Sequence, residues 1–359
     1  MAAYKTWLNI SVISIACLVG IIATFNYKID SLCIYGNSNY LSDAVTALKE
    51  NKMVAGLTNY DERIFQKLVI LNLKNKNDTI VIGSSRSLKV RKKFVSESGP
   101  FFNHSVSGAS LEDYIGIIGV YEKTYGYVPS TVILGIDPWI FNKNNGLFKW
   151  KSLEEYYAFE KNKIYNETGK DTFIPFNTTK WKQLINYDYT LSNISFFKSV
   201  IVNNEQPFYI TASLNVNDPI KKPDGSTEEP SSERAVDENK IKQSAIAYTQ
   251  GGVFSVNNYT QLNNIQLFED FVHYLQKKGT TVIFFLPPYN PITYDILVED
   301  NRYKNIMESE KYLRKFANLN KINIHGSFNP HSCGFTLKDF YDGMHGRENV
   351  SKKLLNQKQ

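Results

Sequence analysis

Two short stretches carry side chains suited to acyl transfer. In Thr79–Arg86, TIVIGSSR, an apolar run ends at a glycine followed by two serines. Such a run reads as a buried strand, and the glycine as the turn that ends it. A serine at that turn presents its hydroxyl at the rim of a sheet, and position favours Ser85 over Ser84 as the nucleophile. Near the other end, in FYDGMHGRENV, Asp342 and His345 stand three residues apart. A serine nucleophile needs a base to take its proton, and the base needs a carboxylate to orient it and stabilise its charged form. An Asp-x-x-His turn supplies both from one loop. The oxyanion that forms needs donors, and the backbone N–H groups of Ser85 and Gly108 are placed for this.

The elements that must position these groups alternate. Strand-like runs lie at Ile80–Ile82, Phe101–Val106, Thr131–Ile136, Thr281–Leu286 and Ile322–His325. Helix-like spacing covers the chain after Ser110, the stretch from Leu262 to Leu275, Tyr303–Ala317 and Gly346–Leu355. Alternating strands and helices imply an α/β fold with a doubly wound sheet of about five parallel strands, flavodoxin-like in its winding. Ligands bind such sheets beyond the carboxyl ends of the strands. Those ends are Ser84-Ser85, Ser107-Gly108, Asp137, Pro287–Tyr289 and the segment leading to Asp342 and His345, so the unusual residues share one rim. Arg86, Trp139 and Tyr289 at that rim are expected to contact substrate.

Ahead of the sheet, Trp7–Phe25 has no charged residue and is flanked by Lys5 and Lys28. About 20 apolar residues span a bilayer as a helix, and no small-x-small cleavage site follows, so residues 1–28 read as a cytoplasmic tip and an uncleaved anchor. Residues 29–78 read as a helical neck, with helices at Leu41–Val54 and Asp61–Leu73, and 79–359 as the main domain. A long insertion, about Phe141–Asn258, separates the third and fourth strands. Its Trp150, Trp181 and tyrosines are either the floor of a sugar-binding groove or a satellite core, and its Thr227–Lys242 run reads as a solvated loop.

The net charge of +6 is spread out, with no dense basic tract, which argues against nucleic acid as a partner. HExxH, paired CxxC and Walker motifs are absent, so no metal or cofactor is expected. No GxSxG elbow occurs either, which argues against an ordinary α/β-hydrolase. Of three cysteines, Cys17 falls in the anchor, while Cys33 and Cys333 read as free thiols rather than a bridge. A second Asp-x-x-His, Asp270 and His273, falls inside a helical stretch and reads as a solvated face; His104, His325 and His331 read as structural.

The order Gly83-Ser84-Ser85, then Gly108, then Asp342-x-x-His345 resembles the SGNH (GDSL-type) hydrolase superfamily. Gly-Ser-Ser-Arg in place of Gly-Asp-Ser-Leu, the FLPPYNP segment and the Asp-Gly-Met-His ending are closest to its membrane-anchored cell-envelope acylation members of the DltD, AlgJ and AlgX types. The resemblance spans about Thr79–Leu355. It implies Ser85 as nucleophile, His345 as base and Asp342 as orienter. It further implies acyl transfer, acetyl foremost, to a surface polysaccharide or related polymer beside a membrane-bound O-acyltransferase, with the main domain extracytoplasmic. Where that superfamily carries Gly-x-Asn, this chain has Gly135-Ile136-Asp137, and an ionised Asp137 repels an oxyanion instead of donating to it. Asp137 points away, is protonated or binds a substrate hydroxyl; failing these, the chain is a non-catalytic glycan-binding accessory. A stand-alone esterase is the remaining alternative.

Overall fold

The structure is a computed structural model that describes residues 2–95, 99–169, 179–256 and 259–356. Its strands are β1 (Met53–Ala55), β2 (Thr79–Gly83), β3 (Phe101–Asn103), β4 (Thr131–Gly135), β5 (Tyr209–Thr211), β6 (Ile220–Lys221), β7 (Thr227–Glu228), β8 (Thr281–Leu286) and β9 (Asn323–Gly326). Five of them form a parallel sheet in the order β3-β2-β4-β8-β9. The others form a four-stranded antiparallel sheet, β5-β1-β6-β7.

The central parallel strands β2, β4 and β8 are largely apolar because each face of the sheet packs on a separate core, while the edge strand β9 carries Asn323 and His325 and is only partly buried. Side chains alternate across a strand, so Ile80, Ile82, Val132, Leu134 and Phe284 join one cluster, and Val81, Ile133 and Phe285 join the other. The first cluster is completed by the helices Leu111–Tyr125, Ile265–Lys277 and Lys304–Leu319. The second is completed by residues from Glu238–Gln250 and Glu348–Leu355. The helix Leu111–Tyr125 starts at a capping box between Ser110 and Asp113 and ends at Gly126 in the left-handed region.

Several boundaries differ from expectation. The second strand stops at Asn103, although the N–H groups of His104 and Val106 still donate to Val81 O and Gly83 O at 2.7 and 2.9 Å. The first neck helix is Tyr40–Lys49; a left-handed Asn51 turns the chain, and Val54 enters β1. Residues 29–78 pack onto the sheet body: Arg63 Nε donates to Asp113 Oδ1 at 2.9 Å with both side chains buried, and Phe102 joins the core of the neck helices.

The Thr227–Lys242 run is not a solvated loop. Thr227 and Glu228 are buried in β7, and Glu228 is paired with Arg91 and Lys222, charges that lie elsewhere in the chain. Buried charges persist only when paired in this way. The run ends in the helix Glu238–Gln250. The insertion's Asn258 boundary lies outside the described residues.

At the N-terminus, Ala2–Ile29 is one helix. Its Tyr4–Ile29 portion, which holds an 18-residue window of mean hydropathy 2.3 with no buried residue, is long and apolar enough to cross a membrane. Cys17, Cys33 and Cys333 are free, and burial pushes the Cys33 thiol up to about 12.

Candidate active site

The rim beyond the carboxyl ends of β2 and β4 is where the strand order reverses, the place where open parallel sheets leave a crevice. Gly83 and Gly135 are register partners there, and Ser87 packs against both. A Cβ on Gly135 would stand 2.0 Å from Ser87 Oγ, so glycine is what lets the turn after β2 close over the strand ends.

That turn is a short 3-10 helix, Ser85–Ser87, and it separates the two serines. Ser84 is fully buried, and its Oγ accepts from Arg86 N–H at 3.1 Å. Ser85 faces a cavity of about 320 Å³, and its Oγ stands 2.9 Å from His345 Nε2. His345 Nδ1 donates to Asp342 Oδ2 at 2.8 Å. Asp342 Oδ1 accepts from the Met344 and His345 N–H groups, each at 2.8 Å. One carboxylate therefore shapes the turn and orients the ring. With Nδ1 carrying the proton that Asp342 accepts, neutral His345 turns the lone pair of Nε2 toward the Ser85 hydroxyl. The arrangement can take a proton from Ser85 and return it to a leaving group.

Burial acts against charge on His345, but the hydrogen bond and charge of Asp342 outweigh it and hold the imidazole above its ordinary value. Burial likewise opposes the Asp342 carboxylate, and His345 outweighs it, holding Asp342 below the usual range.

Asp137, directly after β4, is fully buried. Burial raises its carboxyl above the usual range, against the opposing charge of Arg86. Arg86 Nη1 donates to Asp137 Oδ1 at 2.7 Å. The same guanidinium donates from Nε to Met344 O at 3.2 Å and from Nη2 to Pro287 O, and it lies 4.0 Å from the centre of the Tyr289 ring. Arg86 thus ties the serine turn to the histidine loop and to the end of β8.

Arg86, Trp139 and Tyr289, expected to contact substrate, are all buried and none borders the cavity. Trp139 Nε1 donates to Ala109 O at 2.9 Å, and the Tyr289 ring stacks on Arg86, its buried hydroxyl finding no partner among the described residues. Gly108 does not border the cavity either, whereas Ser107 does. Gly108 is in the left-handed region, φ +58°, and its carbonyl accepts from Arg63 Nη2 at 3.2 Å. Among the described residues, no acceptor takes the N–H of Ser85 or Gly108.

The second sheet lines the cavity with Val54, Lys221 and Thr227, and the helix Glu62–Leu71 and the chain after β7 add Glu62, Glu229 and Glu233; sequence reasoning missed Lys221 and these three acids. Glu62 Oε1 accepts from Ser107 Oγ at 3.0 Å, and Lys89 Nζ pairs with Glu229 at 2.6 Å. Burial lowers the pKa of Lys221, whose ammonium has no ion-pair partner among the described residues. Glu62 falls in the second neck helix and the other three in the insertion, where nothing local marks them as facing Ser85.

The remaining histidines stand apart. His104 is buried between Gln66 Oε1 and Tyr121 OH at 2.8 and 2.7 Å, and burial lowers it to about 3. His273 stands 2.8 Å from Asn320 Oδ1, while Asp270 is buried rather than on a solvated face, near Gln266. Comparison with curated proteins returns no match. Residues 41–351, which take in most of the neck, both sheets and every residue around the cavity, match the family model described as "Protein of unknown function (DUF1574)", and the chain belongs to that family.

Proposed function

We propose that this protein is an SGNH-like serine acyltransferase that modifies hydroxyls of a cell-envelope polysaccharide or related surface polymer, with acetyl as the acyl group. Ser85 Oγ attacks the donor's acyl carbonyl while His345 Nε2 takes its proton. The Ser85 N–H group holds the oxyanion, a role worth about 2.7–4 kcal/mol. As the tetrahedral species collapses, the acyl–donor bond breaks and His345 returns the proton to the leaving group. An acceptor hydroxyl then gives its proton to His345 and takes the acyl group, and Ser85 Oγ recovers the proton. The N-terminal helix anchors an extracytoplasmic domain, and a membrane-bound O-acyltransferase supplies the acyl group.

The observation that carries this reading is the pair of contacts Ser85 Oγ–His345 Nε2 at 2.9 Å and His345 Nδ1–Asp342 Oδ2 at 2.8 Å, open to a cavity. The order of the five-stranded parallel sheet supports it, because Ser85 stands where that order reverses between β2 and β4. The Arg86–Asp137 pair supports it too. The charge that made a non-catalytic accessory attractive is matched by a buried guanidinium.

The test is to treat the full chain in detergent with a fluorophosphonate probe and map the adduct by peptide mass. Labelling at Ser85, lost in Ser85→Ala and His345→Ala, is expected. A folded wild-type sample that stays unlabelled, alone and with the acyltransferase present, refutes the proposal.

A further inference from the structure

The segment from Trp181 to Val202 is built inside out. Its helix Tyr187–Phe196 docks against the base of the N-terminal helix through polar groups. Asn193 Nδ2 donates to Asn26 Oδ1 at 2.9 Å, Asn193 Oδ1 accepts from Ser31 N–H at 2.8 Å, and Asn26 Nδ2 donates to Thr190 Oγ1 at 2.8 Å. Tyr189 OH donates to Asp30 Oδ1 at 2.8 Å. The outward face is apolar: Tyr187, Leu191, Ile194, Phe197, Ile201 and Val202 are exposed, from 38% for Phe197 to 73% for Tyr187. Their spacing puts them on one stripe, carried on by the following turn of π-helix, Phe197–Val202. A helix that meets water does the opposite, turning its polar groups outward.

We propose that this stripe is a second membrane contact, lying in the boundary between lipid headgroups and acyl chains; this rests on the reading of the N-terminal helix as a membrane anchor. Continuity names the occupant. The stripe adjoins the base of that helix, where Phe25 meets Phe197 at 6.0 Å between ring centres, and the helix itself exposes Ile13, Ile15 and Ile21. Exposed Trp181 and Tyr187 supply the aromatic groups that favour the headgroup level, and exposed Lys182 and Lys198 can reach lipid phosphates. Two attachments fix the height and tilt of the domain, which one helix leaves free. Behind the stripe lies a cavity of about 970 Å³, bordered by Gln183, Asn186 and Ser192 on this side. Tyr60, Glu62 and Ser107 border both it and the Ser85 cavity, so the two cavities are neighbours.

The test is spin-label depth measurement on the full chain in vesicles of equal phosphatidylcholine and phosphatidylglycerol. Labels go on Ile194→Cys and Ile201→Cys, with Ile13→Cys as the anchor reference and Lys242→Cys as the water reference, in a Cys17→Ser/Cys333→Ser background; Cys33 is buried. At Ile194 and Ile201, accessibility to oxygen should exceed accessibility to a water-soluble nickel complex, at a depth of about 5–10 Å. If both report the nickel accessibility of Lys242 while Ile13 reports lipid, the second contact is wrong and the anchor stands. Low accessibility to both reagents means a protein covers the stripe, which also overturns the proposal. Nickel access at Ile13 removes the anchor and the inference with it.

Discussion

Replacing Arg86 with methionine tests whether the site rests on the buried guanidinium. The side chain is buried, and its loss leaves the Asp137 carboxylate without its cation and the Met344 and Pro287 carbonyls without a donor. Removing one member of a buried ion pair costs about 3–5 kcal/mol. The two carbonyl bonds add about 1 kcal/mol each. The sum of roughly 5–7 kcal/mol is a large share of the 5–15 kcal/mol that ordinarily holds a domain together. At about 2 °C per kcal/mol, the low end for large domains, unfolding of the full chain in detergent should fall by about 10–14 °C. Arg86→Met/Asp137→Leu removes the orphaned charge as well, leaving only the carbonyl losses, and should return to within about 4 °C of the parent. Burial already holds the Asp137 carboxyl above its ordinary value, so in Arg86→Met protonation relieves the charge as pH falls. A carboxyl whose folded pKa is raised costs stability above that pKa and not below the unfolded value, so the gap between single and double variants should close toward pH ~4. A single variant as stable as the parent, or a double no better than the single, refutes the reasoning.

Asp342→Asn keeps an oxygen for the two backbone N–H groups but loses the charge that fixes His345. Ser85 labelling should slow at least about 100-fold, by analogy with serine proteases, while unfolding temperature barely moves. In the parent, labelling should rise with pH through a midpoint above 6.5, because His345 is held above that value and only its neutral form is a base; Asp342→Asn should lower the midpoint. The stability sign is opposite: the raised His345 pKa stabilises the fold below pH 6.5, and that contribution is lost as pH rises through the folded value. Urea unfolding at several pH values reads this directly. Gly135→Ala would place Cβ 2.0 Å from Ser87 Oγ and 2.8 Å from Ser87 Cβ, an overpacking of about 1–3 kcal/mol or more. Adding Ser87→Gly should restore most of the lost unfolding temperature, and an undiminished Gly135→Ala would show that the turn has room to shift.

What was legible in sequence was local. The central strands β2, β4 and β8 are near-continuous apolar runs because both faces are buried, and their ends are marked by residues that apolar strands avoid. Asp342 and His345 were legible because one short turn holds both, and Ser85 because it follows a strand end. The second sheet was not: β6 and β7 are each two residues long, and the buried Glu228 of β7 makes sense only beside Arg91 and Lys222. The Tyr187–Phe196 helix carries apolar spacing that fits a small core equally well, and only the docked Asn26 and Asn193 show that its apolar side faces outward. Arg86 was the most misleading residue. Beside Ser85 it read as a substrate contact, because its partners Asp137, Pro287 and Met344 come from three distant segments. Taken together, Arg86 and Asp137 are one feature rather than two. A carboxylate buried after β4 is sustainable only with a cation beside it, and the turn that presents Ser85 is the nearest place from which one can reach. The guanidinium that compensates Asp137 has donors to spare, and they hold the loop of His345. In this fold, Asp137 is the anchor point of the clamp that holds serine and histidine in register.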